Sequence, residues 1–197
     1  VPVQVGGKIL RDAINAALRD LIANPKDTHY LLGTVCGPHP YPVMNTYFQS
    51  IVGREVRKQL LAQAGKLPNY IVACVGGGSN AMGAFHEFLD DKQVHMIGVE
   101  AGGEKITEDD KKCQHAARFE TGTVGVVEGF KSYFLQNTDG QIKETSSISA
   151  GLDYSGVGPQ IAYLNDIGRI TMRYAFDRDV LKAYELLAHE EGILAAL

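Results

Sequence analysis

The sequence predicts an α/β protein of three layers, in which helices cover both faces of a mostly parallel sheet. Short apolar runs typical of buried strands alternate with helical patterns, and a glycine-rich turn follows the first run. The three runs are NYIVACV, VHMIGVE and ITMRYAF. Strands that alternate with helices favour parallel pairing, because each helical crossover returns the chain to the same end of the sheet.

The helical segments lie before, between and after these strands. Lys8–Asn24 places apolar side chains at helical spacing and polar residues on the opposite face. A single long helix is predicted over Val43–Ala64, with Gly65 as its C-cap. Shorter helices are predicted over Asn80–Leu89 and within VGPQIAYLNDIGR. Asp177 is predicted to cap the last helix, DRDVLKAYELLAHEE.

Composition and charge narrow the class of protein. The chain has 197 residues, 45% of them hydrophobic, and a net charge of −4 that disfavours nucleic-acid binding. No apolar run in the sequence approaches the roughly 20 residues of a membrane span. Three widely spaced cysteines without a C-x-x-C pair predict a reducing compartment, the cytoplasm, and no disulfide or zinc site. Because the chain starts without Met and stops within an apolar run, we expect a piece of a longer polypeptide.

The stretch VACVGGGSNAMGAF sets three consecutive glycines between the first strand and a helix. Such a turn directs backbone N–H groups and the positive end of the helix dipole toward one point, and glycines let an anion approach the backbone. Ser79 and Asn80 add short polar side chains that can cap the helix or bind a phosphate oxygen. The turn therefore predicts a phosphate site, with a tight turn and an ordinary N-cap as the simpler interpretation.

Two further interpretations remain open from these residues alone. Gly76, Gly78 and Ala81 fit the G-x-G-x-x-A pattern of dinucleotide-binding folds. Glu100 ends the next strand, where a ribose-binding acid is expected, so the protein could be an NAD-dependent oxidoreductase. Alternatively, the first helix and the sheet could form a non-catalytic module that binds a partner subunit.

Five motifs, in this order along the chain, resemble those of one family, the tryptophan synthase β subunits. They are LLGTVCGPHPYP, FQSIVGRE, ACVGGGSNAMG, GVEAGG and SISAGLDYSGVGPQIAYL. The resemblance covers essentially the whole chain and implies a truncated part of the fold type II pyridoxal-phosphate enzyme fold. It implies that residues 1–48 are a remnant of the N-terminal domain, with 1–33 in a mobile communication domain. Residues 49–197 would then form a C-terminal phosphate-binding domain that is incomplete at its C-terminus.

The resemblance also implies an activity, cofactors and partners. Members of the family use pyridoxal 5′-phosphate to join L-serine to indole, which gives L-tryptophan and water in the last step of tryptophan biosynthesis. Their β subunits form a homodimer within an α2β2 complex, whose α subunit supplies indole. They also hold a monovalent cation, Na⁺ or K⁺. The same substrates, cofactors and partners are expected for the protein that contains this chain.

By the same resemblance, site residues can be assigned by their numbers in this sequence. Cys74 would lie near the cofactor, Leu32 and Thr34 would line the indole pocket, and Asp153 would form an ion pair when the active site closes. The residues that would hold the phosphate group are Gly76, Gly77, Gly78, Ser79 and Asn80. The residues that would bind the cation, mostly through backbone carbonyls, are Val75, Gly76, Glu100, Leu152, Tyr154 and Gly156.

Departures from the family pattern limit what the chain is expected to do alone. The Schiff-base lysine of the family lies before the first residue of this chain, and Lys8, Lys58 and Lys131 stand in ordinary surface contexts. The segment EKITEDDKKCQHA blurs the alignment of a cation-site glycine onto Ala116, and Glu128 stands where aromatic residues near the indole tunnel are common. We expect the chain alone to lack synthase activity. We also expect its uncovered apolar surface to bind a companion segment or a second copy.

Overall fold

The structure is a computed structural model that describes residues 2–4, 6, 10–107, 109 and 111–197. The chain separates into two compact units, Val1–Gly33 and Thr34–Leu197. The first unit contains helix α1, Leu10–Ala23. The predicted start of this helix at Lys8 lies outside the described residues. The predicted domain division at residue 48 stays a prediction.

The second unit contains the remaining helices and all the strands of the described residues. Helices α2 to α7 are Tyr41–Gln49, Ile51–Ala64, Ser79–Phe85, Arg118–Thr121, Pro159–Asp166 and Asp177–Glu191. Strands β1 to β5 are Tyr70–Cys74, His95–Gly103, Thr123–Val127, Phe130–Phe134 and Thr171–Phe176. In the described part of the chain, no helix has the length and apolar character needed to cross a membrane.

A parallel sheet forms the centre of the second unit. Its strands pair in the order β1-β2-β5, and both pairs are parallel. The register sets Ala73 opposite Gly98, and Glu100 opposite Tyr174. The three apolar runs of the sequence form these three strands, so the predicted α/β class with parallel pairing is confirmed.

Helices cover the two faces of this sheet. On one face, Phe85 of α4 and Ile161 of α6 are fully buried in one cluster with Ala73 of β1. On the other face, Val180 of α7 lies across a cavity from Val99 of β2. The burial of apolar area in the first cluster, at about 25 cal/mol per Å², is the main contribution that fixes β1 beneath α4. The architecture therefore has the predicted three layers.

The predicted long helix over Val43–Ala64 is instead two helices, α2 and α3, which meet at Ser50. The Ser50 hydroxyl donates a hydrogen bond of 2.7 Å to the carbonyl of Tyr47. Helix α4 approaches closely here, because a Cβ added to Gly83 would lie 2.7 Å from the carbonyl oxygen of Gln49. A serine hydroxyl that bonds the preceding turn competes with the helical hydrogen bonds, and the close contact with α4 holds the chain where the two helices meet. Helical periodicity does not record such a tertiary constraint.

The helix ends follow the predictions at one position and depart from them at another. Gly65 ends α3 with a φ of +67°, so the predicted C-cap is confirmed. Asp177 does not cap α7, since the N-cap position is Phe176 and has no side-chain cap. The Asp177 carboxylate instead accepts a 3.0 Å hydrogen bond from the N–H of Ile148. Its charge still lies in the first turn of α7, where it interacts favourably with the helix dipole.

The antiparallel hairpin of β3 and β4 is an element that the sequence analysis did not predict. Its strands pair Thr123 with Phe134 and Val127 with Phe130. Glu128 and Gly129 form the tip, with φ angles of +51° and +85°. Positive φ at both central residues is typical of a type I′ turn, which most often carries Asn-Gly or Asp-Gly. Glu at the first position hides this signal in the sequence.

Part of one sheet face remains uncovered near the start of β1. Tyr70 and Val72 project from this face and are 61% and 62% exposed. An apolar strand face that contacts water favours association with another surface. That a companion segment or a second copy covers this face stays a prediction.

Candidate functional site

A cavity of about 320 Å³ lies where the strands of the parallel sheet end. Residues from the ends of the strands, from the loop before Asp153, from the start of α7 and from the end of the chain line it, among them Cys74, Glu100, Gly151, Leu152, Asp177 and Leu197. In open α/β sheets, ligands bind outside the carboxyl ends of the strands. This cavity is therefore the candidate ligand site.

The triple-glycine turn connects β1 to α4; Cys74, the last residue of β1, lines the cavity, whereas the residues of the turn itself do not. A Cβ on Gly77 would lie 2.8 Å from Thr34 Oγ1 and 3.1 Å from Cys36 Cβ. Gly78 has a φ of +103°, and a Cβ there would lie 2.8 Å from Ile161 Cγ1. Side chains are therefore excluded from both positions. No side-chain hydrogen bond caps α4 among the described residues, so the N–H groups of its first turn remain available to an anion.

Ser79 and Asn80 fix the two ends of this turn. The N–H of Val35 donates a 3.0 Å hydrogen bond to Ser79 Oγ, and the Ser79 hydroxyl lies 3.4 Å from Thr34 Oγ1. That second contact is long, so a phosphate oxygen can replace it as the acceptor. Asn80 Nδ2 lies 3.3 Å from both the carbonyl oxygen and the sulfur of Cys74. The glycine backbone and the Ser79 hydroxyl thus suit a phosphate group, and Asn80 holds Cys74 beside the turn.

The two cysteines near the turn differ in their surroundings. Cys36 is buried, and desolvation raises the pKa of its thiol to about 12, with Arg118 opposing this shift and Glu128 adding to it. A thiol with this pKa stays protonated near neutral pH and is a poor nucleophile. Cys74 is exposed and lines the cavity. Of the two, Cys74 is the cysteine that a bound ligand can contact.

A buried arginine, Arg118, lies directly beneath the turn. Its side chain is 0% exposed, and its Nη2 donates hydrogen bonds of 2.7 Å to the carbonyl oxygens of both Val75 and Gly76. Its Nη1 donates a 2.9 Å bond to the carbonyl of Tyr154 and lies 3.5 Å from that of Leu152. One guanidinium therefore joins the start of the glycine turn to the 152–154 segment.

Glu100 supplies the counter-charge to Arg118. Its Oε1 lies 2.9 Å from Arg118 Nε, and its two oxygens accept 3.1 Å bonds from the N–H groups of Arg118 and Phe119. Desolvation raises the pKa of this carboxyl, while Arg118 and the two N–H groups lower it and Glu120 raises it slightly further. Because Glu100 is 2% exposed and bonded on both oxygens, its carboxylate is not free to bind a ribose hydroxyl.

The residues predicted to bind a monovalent cation converge on Arg118. Five of them contact its side chain: Val75, Gly76, Leu152 and Tyr154 through carbonyl oxygens, and Glu100 through its carboxylate. Gly156 instead pairs with Phe134 in an isolated bridge, and the Ala116 N–H donates to Ala101. These carbonyls therefore do not fit a free metal ion, because a guanidinium already fills the point that they surround. Sequence reasoning missed Arg118, although the run HAARF sets a charged residue directly after small apolar ones.

The other predicted site residues lie in different parts of the chain. Asp153 is partly buried beside the cavity, and its Oδ2 accepts a 2.9 Å bond from the N–H of Ser147. Desolvation is the main cause that raises its pKa, and the bonds from Ser147 oppose it. Thr34 lies in the second unit beside Ser79, whereas Leu32 belongs to the first unit and is half-buried.

Known proteins similar to this chain were found among curated sequences, whereas no family model matches it. The chain is 52% identical to the tryptophan synthase beta chain of Methylobacterium sp. (strain 4-46), over 100% of this chain and 48% of that protein. It is 50% identical to the tryptophan synthase beta chain 1 of Methanosarcina acetivorans, over 99% of this chain and 48% of that protein. The chain thus spans about half the length of the curated relatives it matches.

Solved structures similar to this one support the fold. A fungal L-serine ammonia-lyase from Rhizomucor miehei has a TM-score of 0.52 at 20% identity, over 81% of this chain and 42% of that one. A threonine deaminase from T.th. has a TM-score of 0.50 at 18% identity, over 78% of this chain and 48% of that one. Both share the fold of the fold type II pyridoxal-phosphate enzymes, as predicted. With 50–52% identity along essentially its whole length, the chain belongs to the tryptophan synthase β chain family.

Proposed function

We propose that the protein containing this chain is a pyridoxal-phosphate-dependent lyase that joins L-serine to indole to give L-tryptophan and water. The observation that carries this proposal is the glycine turn between β1 and α4, since a Cβ at Gly77 or Gly78 would lie 2.8 Å from a neighbouring side-chain atom. A backbone that excludes side chains at the start of a helix is suited to a phosphate group. Membership of the tryptophan synthase β chain family supports the choice of cofactor and reaction.

The residues of this chain would bind and orient the cofactor. The N–H groups from Gly76 to Asn80 and the Ser79 hydroxyl would hold the phosphate, and Asn80 would hold Cys74 next to the turn, where it could contact the cofactor. The bound cofactor would supply an electron sink for the negative charge that develops on the amino-acid substrate. We propose that the residues of this chain hold the cofactor but do not supply the lysine that forms its Schiff base, and that they have no synthase activity by themselves.

Asp153 is proposed to act when the active site closes. One carboxylate oxygen is held by the N–H of Ser147, whereas the buried Oδ1 has no hydrogen-bond partner among the described residues. A cationic side chain that arrives from another segment would satisfy this oxygen and exclude water from the cavity. Such an ion pair would gate the site without taking part in bond formation.

The partners and the remaining substrate contacts are also proposals. Leu32 and Thr34 are proposed to line the indole pocket, and α1 belongs to the part that would communicate with an α subunit. In the whole protein, we propose a β homodimer within an α2β2 complex in the cytoplasm. The uncovered face around Tyr70 and Val72 is consistent with further chain or a partner packing there.

The dinucleotide alternative is not favoured by the contacts of Glu100. That carboxylate is 2% exposed and is bonded to Arg118 and to the N–H of Phe119. A ribose-binding acid must present free oxygens to its ligand. Binding of NAD to the glycine turn would therefore lack the acidic contact that the pattern requires.

Equilibrium dialysis of the purified chain tests the phosphate assignment directly. Pyridoxal phosphate should be retained and displaced by inorganic phosphate, whereas pyridoxal without its phosphate should bind at least about tenfold more weakly, a difference of about 1.4 kcal/mol. NAD should not be retained. Equal binding of pyridoxal and pyridoxal phosphate would contradict the assignment of the glycine turn as a phosphate site.

A matched pair of glycine variants adds a structural control. Gly77→Ala should weaken the retention of pyridoxal phosphate by at least about tenfold, because its Cβ would lie 2.8 Å from Thr34 Oγ1. Gly33→Ala should not, because its Cβ would meet nothing within 4 Å. Thermal unfolding must show that both variants fold. After borohydride reduction, an adduct at one defined lysine of this chain would contradict its proposed inactivity.

A further inference from the structure

We propose that the Arg118 guanidinium is a tethered monovalent cation, which takes the place of a metal ion beneath the glycine turn. The chain would then bind neither Na⁺ nor K⁺ at this point, contrary to the expectation from its family. This inference goes beyond the proposed function and concerns how the turn is stabilised. It does not depend on which reaction the protein catalyses.

The first argument is the convergence of carbonyl oxygens. Val75 and Gly76 approach from the end of β1, and Tyr154 approaches from a segment far away in sequence. Carbonyl oxygens that surround one point are the usual ligand set of a hard cation. Here the point is filled, since hydrogen bonds of 2.7 to 2.9 Å from one guanidinium reach all three oxygens.

The second argument is the balance of charge. Arg118 is 0% exposed and Glu100 is 2% exposed, and their ion-pair distance of 2.9 Å makes the cluster neutral. A metal ion added to this cluster would bring a second positive charge into a region that is buried from solvent. Buried charges need opposite charges or full hydrogen bonding, and one carboxylate does not balance two cations.

The third argument is that Arg118 joins the segments a metal ion would join. Its backbone N–H bonds Glu100 in β2, and its side chain bonds the glycine turn and Tyr154. A planar guanidinium with five donors can hold several acceptors at fixed angles and remains charged at all accessible pH values. The turn would therefore keep its shape at any concentration of Na⁺ or K⁺.

The unmodified chain gives the first test. Thermal unfolding and the ²³Na NMR line width are measured in sodium chloride, potassium chloride and choline chloride at equal ionic strength. We expect melting temperatures equal to within about 1 °C and no ²³Na broadening that K⁺ displaces. A saturable stabilisation by Na⁺ or K⁺ over choline, or a displaceable ²³Na signal, would overturn the proposal.

Variants give the second test. Arg118→Met should lower the melting temperature by roughly 6 to 20 °C, as expected for a broken buried ion pair in a domain of this size. K⁺ or millimolar guanidinium should recover part of this loss, whereas choline at the same ionic strength should not. If neither K⁺ nor guanidinium stabilised Arg118→Met more than choline does, the result would contradict the proposal that Arg118 fills a cation site.

Two controls keep the result interpretable. Arg169→Met removes another guanidinium that bonds carbonyl oxygens, and its stability should show no preference for K⁺ over choline. If Arg118→Met does not fold, Arg118→Lys keeps the positive charge and should fold without binding Na⁺; displaceable ²³Na broadening in that variant would contradict the proposal. None of these measurements uses the cofactor, so a failed cofactor assay leaves them unaffected.

Discussion

Two arginines of this chain bind backbone carbonyls in nearly the same way, yet they lie in different surroundings. Arg118 is fully buried, contacts carbonyls from two separate segments and pairs with Glu100. Arg169 is half-buried and donates to four carbonyls at the end of the α4 region, those of Phe88, Leu89, Asp91 and Val94. The carboxylate of Asp91 pairs with Arg57 instead.

The comparison separates two contributions to the free energy of unfolding: that of hydrogen bonds to carbonyls and that of pairing a buried charge. At Arg169, the guanidinium bonds neutral carbonyl oxygens and no carboxylate among the described residues, so its loss leaves acceptors without a donor but no unpaired buried charge. At Arg118, loss of the guanidinium would leave the Glu100 carboxylate buried without its cation. Similar contacts should therefore have different energetic consequences, and three measurements test this.

The largest expected effect is that of Arg118→Met on stability. Removing one partner of a buried ion pair costs about 3 to 5 kcal/mol, because the other charge remains in a site of low dielectric. Urea-induced unfolding near neutral pH measures this loss. In the double variant Arg118→Met/Glu100→Gln, the loss should be smaller than in Arg118→Met alone. A double variant less stable than the single one would show that Glu100 is not the source of the cost.

The second expected effect is on pH dependence. Burial raises the pKa of Glu100, so the folded protein binds this proton more tightly than the unfolded chain does. The stability that Glu100 contributes is therefore greatest below its ordinary pKa of about 4.3 and is lost as pH rises through the folded value. The charge of Arg118 lowers the pKa of Glu100 in the folded protein. Removing Arg118 should therefore extend the loss of stability to higher pH. We expect Arg118→Met to lower the free energy of unfolding by more at about pH 8 than at about pH 5.

The control for this pH effect is the other arginine. Arg169→Met should have the same cost at both pH values, because its donors bond neutral carbonyls. The double variant Arg118→Met/Glu100→Gln should also lose the added pH dependence. If Arg169→Met showed the same rise with pH, the effect would be general and would not report on Glu100.

The smallest expected effect is the stability loss of Arg169→Met itself. Its loss leaves neutral carbonyl acceptors without a donor but no unpaired charge, so we expect a loss of about 1 to 3 kcal/mol, smaller than that of Arg118→Met. Urea-induced unfolding under the same conditions as for Arg118→Met gives the direct comparison. A loss as large as that of Arg118→Met would mean that the number of carbonyl bonds, and not buried charge, sets the energetics.

The two halves of the candidate site were predictable to different degrees. The glycine turn was predicted from local pattern, since an apolar run, three glycines and Ser79 are neighbours in sequence. Arg118 contacts residues that lie 18 to 43 positions from it in the sequence, with Glu100 the nearest and Val75 the farthest. No local period records those contacts. The family resemblance indicated the carbonyl oxygens but implied Na⁺ or K⁺ at the point where the structure places the Arg118 guanidinium.

Sequence periodicity by itself determined the three parallel strands, the helices between them and the glycine turn, because buried strands and helix starts depend on neighbouring residues. Tertiary structure decided the break between α2 and α3 at Ser50, the role of Asp177 in holding Ile148, and the position of Arg118. Each of these features depends on a close approach between segments that are distant in sequence. Such approaches decide where a helix ends and which buried polar groups meet. The packing of distant segments therefore places the Arg118 guanidinium beneath the turn. Because this position is buried, the positive charge needs the negative charge of Glu100 beside it.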